Sequence, residues 1–131
     1  EEHRVKERKP VIGMAARFAI DVKRMGSAVG TLSGGNQQKV AVGKWLGTEP
    51  KVMILEEPTR GVDIGARRVI ATKARDAAAT GIGVVVLTSD IDEVLEAADR
   101  VIVLVDGNPR MDSYVSQTSR DEIVARMSEV A

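Results

Sequence analysis

Two pieces of this chain decide its fold: Leu32–Val40, LSGGNQQKV, and Lys51–Asp63, KVMILEEPTRGVD. Ser33-Gly34-Gly35 reads as a turn opening onto a polar helix from about Asn36 to Leu46. Glycines there let backbone N–H groups come close to an anion, and a helix N-terminus adds partial positive charge. On these residues alone, a phosphate-binding helix start and an ordinary serine-capped start are equally served. Pro50 ends the helix, because the residue before proline disfavours helical geometry. Lys51–Leu55 reads as a short strand, apolar enough to be covered on both faces in a parallel sheet. Glu56 and Glu57 follow at its C-terminal end, where ligands bind in open α/β sheets. Neighbouring strand residues point to opposite faces, so the two acids are free to take separate tasks.

The order and spacing of these parts resemble the signature loop, Walker B strand and D-loop of an ATP-binding cassette (ABC) ATPase. The letters LSGGNQQKV and EPTRGVDIGA resemble most the second cassette of bacterial carbohydrate-importing ABC ATPases of the ribose and xylose type. That resemblance implies an α/β fold. It is the C-terminal half of a P-loop ABC ATPase domain, mostly parallel sheet with flanking helices and a helical N-terminal segment. Residues 1–131 then form one partial domain. Residues 1–31 are a helical-subdomain remnant and linker, and 32–131 carry the signature loop, Walker B, D-loop, switch region and C-terminal helix.

The resemblance also implies roles for single residues. Ser33, Gly34, Gly35, Asn36 and Gln37 would close over the γ-phosphate of ATP held by an opposite cassette. Glu56 stands where the family has the Walker B aspartate that holds Mg²⁺, and is a methylene longer. Glu57 matches the catalytic glutamate that orients and polarises the attacking water. Asp63 matches the D-loop aspartate, which communicates across the cassette dimer. Ser89 falls where most of the family has a switch histidine on the γ-phosphate. Serine donates a hydrogen bond there but carries no positive charge. Arg60 is typical of the sugar-import group and receives no catalytic role.

One family element is absent from these residues. A Walker A loop reads G-x-x-x-x-G-K-[ST]. The sole Gly-Lys pair is Gly43-Lys44, which Trp45 follows, with Gln38 where the first glycine belongs. The adenine-stacking aromatic and the Q-loop also lie upstream in the family. The expected function is therefore the ATPase component of a sugar-importing ABC transporter, as a truncated chain inactive alone. Its ligands would be ATP and Mg²⁺. Its partners would be a second cassette with an intact Walker A and the membrane permease subunits. The alternative is a non-catalytic interaction module that pairs its signature and D-loop face with an intact cassette. A cassette used outside membranes fits the letters NQQKV and TRGVDIGAR poorly.

The remaining sequence is consistent with this. The 131 residues suffice for one domain, with 44% hydrophobic and 29% charged residues and zero formal net charge. That balance gives no support for nucleic acid or an anionic membrane as partner. Cysteine is absent, which removes disulfides and thiolate metal sites, and His3 has no companion ligand. No apolar run reaches the length of a membrane span, and Glu1-Glu2 do not suit a secretory signal. The expected location is cytoplasmic, peripheral at the inner membrane face through the permeases.

Coarse structure follows from periodicity. Residues 11–24 read as a helix packing through Val11, Ala15, Phe18, Ala19 and Val22. Trp45 reads as a helix residue packed on the sheet. Gly65–Thr80 reads as a helix with the stripe Val69, Ile70, Lys73, Ala74 and Ala77. Gly83–Leu87 reads as a second buried strand, and Asp90–Ala98 as a short acidic helix with a solvated face. Arg100–Val105 reads as a third strand, turning at Asp106-Gly107 into a short edge strand over Met111–Val115. Ser119–Glu122 is a capping box starting a last helix through Ile123, Val124, Met127 and Val130. Lost strands upstream would leave sheet edges exposed, so a marginal or oligomerising protein is expected.

Overall fold

A computed structural model describes residues 13–21, 23, 27–48 and 50–129. The readings placed on His3, Val11, Val22 and Val130 lie outside the described residues. Residues 13–17 are helical and end in a turn in which Ala19 takes a positive φ of 50°. The expected helix therefore stops short, and Ala19 is exposed while Ala15 and Phe18 are buried. A 3-10 turn, Val29–Thr31, interrupts the linker before the signature residues.

Helix α1 runs Gly34–Leu46, strand β1 Val52–Glu56, helix α2 Ile64–Ala79 and strand β2 Gly83–Leu87. Helix α3 follows at Ile91–Ala97, then strands β3 Arg100–Val105 and β4 Asn108–Tyr114, and helix α4 at Arg120–Met127. Strands β1 and β2 pair in parallel, with Ile54 opposite Val85 and Glu56 opposite Leu87. Strands β3 and β4 form a separate antiparallel hairpin. Its turn residues, Asp106 and Gly107, both have positive φ, 51° and 75°, as a two-residue type I′ connection requires.

Two cores hold the described residues. Phe18, Val42, Met53, Leu55, Ile70 and Ala74 fill the first, joining the N-terminal helix, α1, β1 and α2. Val101, Val103 and Ile123 fill the second, between the hairpin and α4. The α2 stripe is seated as its spacing predicts, with Ile70, Ala74 and Ala77 buried and Val69 and Lys73 half-buried. At α4, Ser119 Oγ accepts from the Glu122 amide at 3.2 Å. The Glu122 carboxylate accepts instead from Thr118 Oγ1 at 2.9 Å, so the expected box is reciprocal only in part.

Further expectations about burial fail: on α4 only Ile123 of the described packing residues is buried, while Val124 and Met127 are exposed. Trp45 is 58% exposed, with Lys44 Nζ 5.3 Å from its ring centroid, because it lies on the face of α1 away from the sheet. Glu93, placed on a solvated face, is buried, since α3 turns that position inward. Neither strand of the parallel pair is covered on both faces. Met53 and Leu55 point into the core, but Ile54 is 65% exposed and Val85 and Leu87 are each 47% exposed. The register puts Val52, Ile54, Val85 and Leu87 on one bare apolar face.

Contiguous apolar patches of this kind are rare on monomeric soluble proteins and drive association. The chain is expected to self-associate at micromolar concentration in sedimentation velocity. The double variant Ile54→Lys with Val85→Lys is expected to restore a monomer, since two cations on that face repel their copies. A wild-type chain that sediments as a stable monomer throughout the concentration series refutes this.

Candidate functional site

The first half of the site lies at the N-terminus of α1. Ser33 is its N-cap residue in extended backbone, yet its side chain makes no capping hydrogen bond. The ordinary capped start is therefore not what the serine provides, and its hydroxyl is exposed. Gln37 Nε2 donates to the Leu32 carbonyl at 2.8 Å, which fastens the loop to the helix. Asn36 sits half-buried beside it.

The two glycines differ in what they require. A Cβ on Gly35 would stand 2.8 Å from Ala66 Cβ and 3.1 Å from Asp63 Oδ2, so α1 approaches α2 too closely for any side chain. A Cβ on Gly34 would meet only the Gly61 carbonyl, at 3.7 Å, an ordinary contact. Asp63 is the N-cap of α2, and its Oδ1 accepts from the Ala66 amide at 2.8 Å. The Ser33–Gly35 turn and the Asp63 turn are thus packed together within this one chain.

The second half lies at the C-terminal ends of β1 and β2. Glu56 ends β1 and is exposed. Glu57 leaves the strand with a left-handed φ of 43°, a conformation that costs a non-glycine residue about 1–3 kcal/mol and is kept where the surroundings enforce it. The enforcing contacts come from the end of β2 and from Ser89 just beyond it. The Glu57 amide donates to the Leu87 carbonyl at 2.7 Å, and Glu57 Oε1 accepts from both the amide and the Oγ of Ser89, each at 3.0 Å. Among the described residues nothing donates to Oε2, leaving one carboxylate oxygen open to a water.

An open cleft of about 390 Å³ lies over this pair, lined by Glu57, Thr59, Arg60, Gly61, Arg67, Ser89 and Asp90. Arg67 Nη1 pairs with Asp90 Oδ2 at 2.7 Å. Burial pushes the Asp90 carboxyl up, but the Glu93 and Asp92 amides and the Arg67 guanidinium outweigh it and hold the group below its usual range. Its contribution to stability is therefore present above the ordinary carboxylate pKa and fades as pH falls through the lowered one.

The structure brings Glu57 and Ser89 into contact and packs Gly35 against Asp63. Glu56 stands apart from both groups. Among the described residues no cluster of three acidic or histidine side chains closes a metal site. Glu56 is a single oxygen donor, which fits Mg²⁺ only as one ligand among waters and phosphates. Sequence reading missed the Glu57–Ser89 contact, the Arg67–Asp90 pair and Arg60 in the cleft. Each joins residues from different elements, so periodicity carries no signal of them.

The fold is that of ATP-binding cassettes. The chain superposes on half of an ATP-binding cassette from an ABC transporter with a TM-score of 0.75, covering 96% of this chain and 50% of the other at 24% identity. A dimeric cassette in a post-hydrolysis state bound to ADP and phosphate gives 0.73, covering 88% and 49% at 23% identity.

Sequence then narrows the class. Residues 3–60 match the family model described as ABC transporter. Over 119 residues the chain is 40% identical to a ribose import ATP-binding protein, RbsA 2, of Streptomyces avermitilis, spanning 91% of this chain and 24% of that protein. Ribose import ATP-binding protein RbsA 2 of Agrobacterium fabrum is 47% identical over 104 residues, 79% of this chain and 21% of that protein. This chain is similar in fold to half of an ATP-binding cassette and similar in sequence to ribose import ATP-binding proteins. It spans about a quarter of the length of these curated relatives. No helix among the described residues is long and apolar enough to cross a membrane.

Proposed function

We infer that this chain is the signature and water-activating part of a cassette whose ATP hydrolysis drives carbohydrate import. The observation that carries the reading is Glu57, held by Ser89 at the ends of two parallel strands with one carboxylate oxygen open. In this reading Oε2 accepts a proton from the attacking water, and Ser89 fixes the carboxylate through Oε1. Glu56 supplies one oxygen to Mg²⁺, which when bound neutralises charge on the phosphates. Ser33, Gly34 and Asn36 present a helix N-terminus to a phosphate held by a second cassette. Gln37 holds the loop in place, and Asp63 fixes the turn beside it. Membrane permease subunits would couple the hydrolysis to import, and would keep the chain at the cytoplasmic face of the membrane.

A second reading is a non-catalytic module that lends its signature and D-loop face to an intact cassette. Ser89 favours it, since a hydroxyl cannot supply the positive charge that a switch histidine brings to the γ-phosphate.

Both readings make the signature turn an acceptor surface, useful when another chain presents the nucleotide. A single helix N-terminus contributes about 0.3–1 kcal/mol toward an anion. Micromolar affinity takes about 8 kcal/mol. Isothermal titration of the chain alone with Mg-ATP is therefore expected to show no micromolar binding, and the same titration with an intact cassette present is expected to show it. Micromolar binding by the chain alone would mean that it carries a complete phosphate site of its own.

A further inference from the structure

The first turn of α2 touches both halves of the site. Ala66 packs on Gly35 so closely that a Cβ there would stand 2.8 Å from its own, and the next residue, Arg67, reaches the other half. Arg67 Nη1 lies 2.7 Å from Asp90 Oδ2. The second oxygen of that carboxylate serves its own helix. As the N-cap of α3, Oδ1 accepts from the Asp92 and Glu93 amides at 3.0 and 3.3 Å. Ser89 stands directly before Asp90, in the three-residue connection between β2 and α3. The Asp90 amide closes that connection by donating to Thr88 Oγ1 at 3.0 Å, and Ser89 itself is exposed. Its amide and hydroxyl both reach Glu57 Oε1, each at 3.0 Å. Hydrogen bonds weaken steeply as distance and angle drift, so the seat of Asp90 decides whether these two donors stay on the carboxylate.

We propose that Arg67 is a positioning residue for Glu57: from α2 it fixes Asp90, and through Asp90 it holds the two Ser89 donors on the carboxylate. An ion pair with this much solvent around it adds little to stability, so its effect is on placement. A guanidinium suits that task because its planar fork fixes direction as well as distance. The same turn of α2 packs on the Ser33–Gly35 turn, so the two halves of the site share one support. The consequence for turnover rests on the hydrolytic reading of Glu57 above; the placement of Ser89 does not.

The test has a structural and a kinetic arm. In the isotope-labelled chain, Arg67→Gln is expected to speed hydrogen exchange of the Ser89 amide about 10-fold, as loss of a bond to a charged acceptor does. Arg67→Lys keeps a cation opposite Asp90 and is expected to retain most of the protection. In an Asp90→Asn background, which keeps the cap of α3, Arg67→Gln is expected to add nothing, because the pair is already broken. Arg75→Gln controls for general loosening between α2 and α3. Arg75 Nη1 donates to the Glu96 carbonyl at 2.9 Å, at the far end of α3, and its loss is expected to leave Ser89 unchanged. Amides outside these two helices report whether each variant stays folded. In the complete cassette, with the partner's own site silenced, Arg67→Gln is expected to lower kcat roughly 10–10²-fold at unchanged KM for ATP, as a small misplacement of a reacting group does. Ser89 exchange at the parental rate, an equal response to Arg75→Gln, or parental kcat where Glu57→Gln is inactive overturns the proposal. Parental turnover by Glu57→Gln removes the hydrolytic reading instead, and the exchange rates alone then decide whether Arg67 places Ser89.

Discussion

Glu57→Gln, in the complete cassette with its partner's own site silenced, is expected to lose ATP turnover by roughly 10²–10⁴-fold, the range a positioned general base contributes. Nucleotide binding should be spared, because the amide keeps the size of the carboxylate and still accepts from Ser89 through its carbonyl oxygen. What it loses is the open Oε2 as a proton acceptor. The substitution thus separates geometry from basicity better than truncation to alanine. Alanine would also release the left-handed turn at Glu57, which the Ser89 contacts help hold. Silencing the partner is essential, since a second working site would mask the loss. Steady-state phosphate release reads the result, and turnover at the parental rate would remove Glu57 from the proposed role.

Phe18→Ala is expected to destabilise the chain by about 3–5 kcal/mol, the usual result of emptying a buried aromatic site. Phe18 is 1% exposed and belongs to the core with Val42, Met53, Leu55 and Ile70. A Cβ on Gly43 would lie 3.4 Å from two atoms of its ring, so the ring rests on the bare backbone of α1. The gap left by alanine cannot be filled from that side, because glycine has no side chain to move into it. Set against a total stability of about 5–15 kcal/mol for an ordinary domain, the loss is a large fraction of the whole. Since Phe18 ties the N-terminal helix to the helix that carries Ser33–Gln37, the signature turn should loosen with it. Urea unfolding checks this through the transition midpoint. A change below ~1 kcal/mol would show that residues 13–21 are not docked on α1 in solution.

The two predictions depend on information of different kinds. The stripe Ile70, Ala74 and Ala77 and the Asp106-Gly107 turn are local facts. Each follows from residues a few positions apart obeying a helix or turn period, so the sequence determined them. It determined the candidate acids and the signature turn as well, because their residue types stand in fixed order along the chain. What it left open was which groups meet across elements. Glu57 and Ser89 lie at the ends of different strands, and only the parallel register of β1 and β2 brings one to the other. Gly35 read equally well as an anion-binding glycine, but the approach of Ala66 gives it a steric reason of its own. Burial also depends on tertiary structure. Ile54 and Val85 are as apolar as any core residue and still face outward, while the charged Glu93 faces inward. Hydrophobicity states what a side chain gains by leaving water; whether a neighbour covers it depends on how the elements assemble.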